Sequence, residues 1–417
     1  MKLLQVPAKY ILLVAFILKA FYLFFFVDHI RQWEDHDIAV NLVKTGSFFI
    51  NMDGINSHSF QFPIYPFLVS LLYRLCGVQP IVACFFNLFI NTACGFLFVR
   101  LVKEILAFLN IPHLSNAQTH IVVTISLLCY LIHPAINFYT LYNVHPFIEN
   151  MFFLFLILYL SFRCAWELSF KNTLLLGLAL GVAMLDRGTA LTGIIPFFII
   201  AYKQDGLRKA VVHSVVICLT GLLICLSWII HNYVKDDFIG LISSGGKDMY
   251  KGVLPNSDGS NYLNNGNNYY EAFSRHETDS VARISAGAQN HYYMSKIYTQ
   301  AKNNPGFVVK MFFLKLKNFW WFRSGVGNEQ SGRINRFVPA YKITYGIILL
   351  LQVASLLIIG KRMWVVLATP VALSVLQAAF YVETRHRIII EPLLIFIAVT
   401  VVIALINSRT TSKVKTE

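Results

Sequence analysis

Long apolar runs recur along the chain, and they constrain its fold more than any other feature. A helix needs about 20 mostly apolar residues to cross roughly 30 Å of bilayer hydrocarbon, where the backbone must satisfy its own hydrogen bonds. The sequence therefore predicts an all-α, polytopic integral membrane protein with about ten transmembrane helices. The predicted spans are 9–27, 80–101, 119–137, 146–163, 172–186, 189–202, 211–234, 341–359, 363–382 and 389–407.

The composition agrees with this prediction and excludes an ordinary soluble enzyme. Only 13% of the 417 residues are charged, against roughly 25% in soluble domains, while 56% are hydrophobic and the mean hydropathy is +0.59. The net charge of +14 does not indicate nucleic-acid binding, because the cations form short clusters between apolar runs rather than one stripe. The seven cysteines lie in or beside apolar segments, which indicates neither a disulfide framework nor a cysteine metal motif.

The basic clusters predict the orientation. With a cytoplasmic N-terminus and a first span that is retained, since no small-residue cleavage site follows it, the cations fall in the inner loops. The inner cations would be Arg100, Lys103, Arg163, Lys171, Lys203, Arg208, Lys209, Lys361, Arg362, Arg409, Lys413 and Lys415. Two long segments, 28–79 and 235–340, are then predicted to face the outer side.

We predict three regions on this basis. Residues 1–234 form a transmembrane core that includes the outer loop 28–79, where juxtamembrane helices are expected. Residues 235–340 form the larger outer loop, whose amphipathic stretch 306–322 is typical of an interfacial helix. Residues 341–417 contain the last spans and a basic cytoplasmic tail.

The first outer loop carries a cluster of acids. Glu34, Asp35 and Asp37 directly follow the first span, and the stretch QFPIYPFL at 61–68 then predicts an interfacial helix. Such acids can simply be solvated, but at this height they could also place a general base at the level of lipid headgroups.

Several motifs occur in an order that resembles one enzyme family. After the acids come G177-L-A-L-G181 with L185-D186-R187, then S227-W-I-I-H-N-Y233, and finally E383-T-R-H-R387 with E391-P392. The order resembles that of C-superfamily (GT-C) membrane glycosyltransferases, which include protein O-mannosyltransferases and the lipid A aminoarabinose transferase. The similarity covers most of the chain, although each motif alone is weak.

Two positions depart from the family pattern. His231 stands where relatives commonly carry Arg, and the loop reads Glu34-Asp35 rather than Asp-Glu. In one bacterial branch the pattern aligns Glu34 with the functional acid. The resemblance therefore implies Glu34 as the first candidate for the catalytic base and Asp35 as the second.

The resemblance also implies the reaction. A sugar joined through phosphate to a polyprenol already has a leaving group, so one carboxylate and several cations would suffice for an inverting displacement. Arg can hold phosphate oxygens in a bidentate way, although snorkelling toward lipid phosphates or an Asp186–Arg187 pair would explain the same cations. The phosphate-binding candidates are Arg187, His231, Arg385, Arg387, Lys310 and Lys315.

Further candidates come from ionisable groups near span ends and from the motifs. Glu149 and Glu391 are candidates because ionisable groups near a membrane core are often functional, although a buried ion pair would also explain them. No His pair has metal-ligand spacing with a carboxylate, so we expect no cofactor and leave metal dependence open. The substrate-binding candidates are Asp37, Tyr65, Glu149, Asn232 and Tyr233.

The resulting prediction is transfer of a single sugar from a polyprenyl-phosphate donor to an envelope lipid, glycan or protein. The expected location is a bacterial inner membrane, with the active site on the periplasmic or outer face. Two alternatives remain: a transporter or lipid flippase, and an O-antigen ligase or glycan polymerase. The lack of an internal repeat weakens the first, and the acidic first loop weakens the second.

Overall fold

The computed structural model describes residues 6–52, 54–111, 114–323 and 338–414. Part of the predicted outer loop (324–337) and Lys415 of the predicted tail lie outside the described residues, as do the side chains of Arg409 and Lys413. The described chain is mostly α-helical with four very short strands. This confirms the all-α class and is consistent with a membrane protein.

The N-terminal half alternates long helices with short surface elements. Strand β1 pairs in parallel with β4, and β2 pairs antiparallel with β3. The elements are α1 Ala8–Phe26, β1 Arg31–Gln32, α2 Glu34–Thr45, β2 Ile50–Met52, β3 Ile55–Ser57, α3 Ile64–Cys76, α4 Pro80–Leu109, α5 Asn116–Ile132, α6 Pro134–Leu141, β4 Asn143–Val144, α7 Phe147–Trp166, α8 Phe170–Asp186, α9 Ile195–Asp205 and α10 Leu207–Asp236, with a 3-10 helix at Gly188–Ile194.

The described residues of the C-terminal half contain four helices before residue 324 and four after residue 337. The stretch 306–322, predicted to be an interfacial helix, is helical as far as Trp320, as part of α14. The elements are α11 Gly245–Lys251, α12 Arg275–Ala282, α13 Ala286–Asn303, α14 Pro305–Trp320, α15 Val338–Ile358, α16 Met363–Ala378, α17 Arg385–Ile388 and α18 Glu391–Val414, with a 3-10 helix at Tyr269–Ala272.

The prediction of ten spans is only partly confirmed. Helices α1, α4, α7, α10 and α15 are long and apolar enough to cross a bilayer, and α5 with α6, bent by 51°, makes a sixth if the pair is one span. The four other predicted segments are helical but do not meet this test. One reason is length, because the 16 residues of α16 rise only about 24 Å.

The two long outer segments meet at one end of the helices. The carboxylate of Asp236, at the end of α10, accepts hydrogen bonds from the backbone of His58 and Ser59 at 2.8 and 2.7 Å. At the opposite end, Arg163 pairs with Glu104 at 3.5 Å and Arg362 donates to the Phe108 carbonyl. The predicted outer segments therefore share one face, and these two predicted inner cations share the other.

Glycines allow α8 and α10 to pack very closely. A Cβ atom at Gly177 would lie 3.0 Å from the Ile217 carbonyl oxygen, and one at Gly181 would lie 2.8 Å from the Gly221 oxygen. Small residues four apart permit this approach between membrane helices. The GLALG motif thus has a packing role, and it fixes α8, which ends at Asp186.

We predict that Gly181→Leu forces α8 and α10 apart, because the new Cβ would meet Ile224 Cβ at 2.6 Å. The expected loss of stability is about 1–3 kcal/mol, typical of overpacking. The measurement is the thermal unfolding midpoint in detergent. Gly306→Ala, where a Cβ meets nothing within 4 Å, is the control. Equal midpoints for both variants would contradict the close-packing assignment.

Candidate functional site

A two-residue strand pair places the first outer loop against the middle of the chain. Arg31 pairs with Asn143 and Gln32 with Val144. The Asn143 side-chain oxygen accepts a hydrogen bond from the Trp33 indole N–H at 3.2 Å. The backbone carbonyl of Asn143 accepts one from the side-chain amide of Asn87, on α4, at 3.0 Å. The start of α2 is thereby held beside the start of α7.

Helix α2 presents its acids in different directions. Glu34, Asp35 and Asp37 lie in the first turn, where negative charge interacts favourably with the helix dipole. Asp37 is exposed and Glu34 is half-buried, whereas Asp35 is only 1% exposed. Of the two candidate bases, Asp35 is therefore the one that faces the protein interior.

The environment of Asp35 raises the pKa of its carboxyl group to about 7. Burial is the largest cause and the negative charge of Glu34 the next, while the positive charge of Arg187 acts in the opposite direction. The Oδ2 atom has no hydrogen-bond partner among the described residues. A carboxyl group in this state can exchange a proton near neutral pH.

Two further carboxylates are buried in the same place. Glu149 of α7 and Asp186 of α8 are 2% and 1% exposed, and each interacts electrostatically with Asp35. All four of their carboxylate oxygens lack a hydrogen-bond partner among the described residues. We call Asp35, Glu149 and Asp186 the acidic cluster. It joins three segments that are far apart in the sequence.

Arg187 adjoins the acidic cluster. Its charge acts on Asp35, on Asp186 and on the nearby imidazole of His145. The predicted alternative, a hydrogen-bonded Asp186–Arg187 pair, is not formed, because both Asp186 oxygens lack partners. In the described part of the chain we find no hydrogen bond or ion pair made by the Arg187 guanidinium, which leaves its donors available to a ligand.

The segment before α18 brings a second arginine to the site. The Arg385 guanidinium lies 5.3 Å from the Trp33 ring centroid, and its Nε contacts Glu383 at 2.9 Å. Both Arg187 and Arg385 act on His145 and on His386. We call Arg187 and Arg385 the cationic edge, which lies beside the acidic cluster.

Two histidines of the site, His145 and His386, lie near positively charged side chains. Burial is the main cause that lowers the pKa of His145 and of His386 well below its ordinary value, and the charges of the neighbouring arginines lower it further. Lys251 also acts on His386. The smaller contribution of these cations to the lowered pKa values indicates a positive local potential, which favours an anionic ligand.

Sequence reasoning missed several of these residues. Trp33, His145, Lys251 and His386 are not among the candidates that the sequence predicts for this site. A signal existed for two of them, because Trp33 and His386 lie within the acidic and ETRHR motifs. Their convergence depends on tertiary packing.

Arg387 does not belong to the cationic edge. It is fully buried and pairs with Glu391 at 2.8 Å, while donating to the Phe319 carbonyl and the Tyr341 hydroxyl. Glu391 also contacts His133 Nε2 at 2.9 Å. Since these contacts occupy the guanidinium, we assign Arg387 and Glu391 to helix packing rather than to phosphate or substrate binding.

The candidates on α10 also lie outside the acidic cluster. The Asn232 amide donates to the Gly240 and Leu241 carbonyls and so holds the following turn. His231 stacks on Trp228 with ring centroids 4.4 Å apart, and Tyr233 is exposed.

The two predicted lysines of α14 differ from each other. Lys310 is exposed, whereas Lys315 is buried below residues 252–259, and burial lowers its pKa to about 8. The remaining candidate, Tyr65, is buried near Glu149 and Asp35, and its hydroxyl donates to Asn87 at 3.0 Å. Of these three, only Tyr65 adjoins the acidic cluster.

No group of three His, Cys, Asp or Glu side chains within the described ranges has the geometry of a metal site. Comparison of the chain with protein-family models and with curated proteins finds no match. The resemblance to GT-C enzymes therefore rests on the sequence motifs alone.

We predict that Arg387→Met lowers the stability by about 3–5 kcal/mol, because it leaves the Glu391 carboxylate buried without its charged partner. The double variant Arg387→Met/Glu391→Gln should recover much of this loss. Thermal unfolding in detergent measures both, with Lys310→Gln as an exposed control. An unchanged midpoint for Arg387→Met would contradict the packing assignment.

Proposed function

We propose that the protein is a membrane glycosyltransferase that moves one sugar from a polyprenyl-phosphate donor to an envelope acceptor. The observation that carries this proposal is the position of Asp35, a buried carboxyl group with a pKa of about 7, beside an arginine whose donors are unoccupied. A proton acceptor near neutrality and a phosphate-binding group are the two parts that the reaction requires.

In the proposed reaction Asp35 accepts the proton of an acceptor hydroxyl group. The hydroxyl oxygen attacks the anomeric carbon as the bond from that carbon to the phosphate oxygen breaks, which inverts the configuration. The polyprenyl phosphate leaves with both bonding electrons and gains a negative charge. Arg187, with Arg385 at its side, stabilises this developing charge.

The motifs that suggest the family support the proposal by their convergence. The acid after the first span, the L185-D186-R187 motif and the ETRHR segment come from distant parts of the sequence and meet around Asp35 and Arg187. Tyr65 and Glu149 adjoin the same place and remain candidates for substrate contact. The proposed location is a bacterial inner membrane, with the site on its outer side.

We predict that Asp35→Asn abolishes sugar transfer, with a fall in rate of about a hundredfold to ten-thousandfold, since the amide cannot accept the proton. Envelope lipids and glycans from cells that express either variant, or no protein, are compared by mass spectrometry. The quantity measured is the mass increment of one monosaccharide. Glu34→Gln is the matched control and should retain the increment. Retention in Asp35→Asn would refute the base assignment, and solute flux without any increment would favour a transporter.

The pH dependence of transfer tests the same assignment. Because the raised pKa keeps Asp35 protonated below about 7, the rate should rise about tenfold per pH unit up to that value and then level off. Glu34→Gln removes a charge that raises the pKa, so it should move this rise to lower pH. Arg187→Gln should move it to higher pH. Identical profiles for the three proteins would exclude Asp35 as the titrating group.

A further inference from the structure

A second site lies at the other end of α2. A cavity of about 510 Å³ is bounded by the end of α2, the start of α3 and the outer end of α10. Gly46, which borders it, follows Asp35 by 11 residues, or about 16 Å along the helix axis. The cavity is therefore distinct from the acidic cluster, and nothing inferred about it depends on the proposed reaction.

The walls of this cavity continue into apolar surface. Phe67 of α3 lines it and is 52% exposed, and Leu71 lies one turn further along the same helix. On α10, Leu226 and Ile230 lie two residues before and after the cavity residue Trp228, so they are exposed at the same depth on the opposite face of the helix. In a helix predicted to span the membrane, exposed apolar side chains face lipid tails. The cavity thus adjoins the hydrocarbon region.

Three polar side chains of the cavity, His58, His231 and Lys235, are basic. The last two follow one another along α10. Lys235, His231 and Trp228 lie at successive turns, within about 10 Å of helix rise. His58 lies across the cavity and is fixed by Asp236 at 3.1 Å, while His231 Nδ1 contacts Asn232. In its imidazolium form each of these two side chains can donate its Nε2–H to an anion, and in the described part of the chain Lys235 has no acidic partner.

We propose that this cavity binds the phosphate-bearing headgroup of an anionic membrane lipid, with its acyl chains along the exposed apolar side chains of α3. The charge complementarity selects an anion, and the apolar walls select a lipid over free phosphate. Trp228 lies below the basic groups, as expected of an indole at the boundary between headgroups and tails. The site is separate from that of the sugar donor.

Native mass spectrometry of the delipidated, full-length protein, titrated with phosphatidylglycerol or phosphatidylcholine, tests this proposal. One phosphatidylglycerol should be retained in preference to phosphatidylcholine. Lys235→Gln should weaken its binding about fivefold, which is the effect of one juxtamembrane charge. Lys302→Gln, an exposed lysine on α13, is the control and should leave binding unchanged. Equal retention of both lipids by the wild-type protein would overturn the proposal.

A second variant separates the cavity from general surface charge. Ser47→Trp fills the cavity from an exposed position without changing the charge, and it should abolish retention of the lipid. An unchanged thermal midpoint verifies that the variant folds. If Ser47→Trp still binds the lipid while Lys235→Gln does not, the attraction is non-specific and the site is refuted. Displacement by millimolar inorganic phosphate, at constant ionic strength, would instead indicate a free-phosphate site.

Discussion

The parallel pairing of β1 with β4 is the contact on which the candidate site depends. Its few hydrogen bonds, with those of Asn143 to Trp33 and Asn87, hold a loop that follows α1 against a turn more than 100 residues later. This contact, together with the packing of α2 on α3, holds the first turn of α2 against the protein, where Asp35 is buried. That burial is the main cause of its raised pKa.

Burying the acidic cluster has a free-energy cost that the local structure does not offset. Polar groups removed from water are normally hydrogen-bonded, yet the oxygens of Glu149 and Asp186 have no partners among the described residues. The buried carboxylate of Asp236, in contrast, is fully hydrogen-bonded through its contacts with His58 and Ser59. A local exception of this kind is typical of functional sites, where a ligand supplies the missing partners.

Much of this arrangement could be predicted from the sequence because it follows from local patterns. Hydropathy located the helices, and the motif order marked the regions around Asp35, Glu149 and Arg187. The choice between Glu34 and Asp35 could not be made, because neighbouring residues of a helix point about 100° apart and only the packing of α2 decides which one is buried. The pairing of Arg387 with Glu391 also depends on tertiary packing, although their spacing of four residues permits such an ion pair.

The positions of the site residues along their helices favour the proposed reaction on a lipid-linked substrate over transport. Glu149 lies in the first turn of α7, Asp186 is the last residue of α8, and Arg385 immediately precedes the last long helix. All of them are thus at helix ends, whereas transporter sites typically lie near the bilayer midplane. A phosphate cannot enter the hydrocarbon without a large desolvation penalty, so an enzyme acting on a prenyl-linked donor needs its cations near the ends of its helices. Under the proposed function, the helix-end positions of Arg187 and Arg385 would meet that requirement.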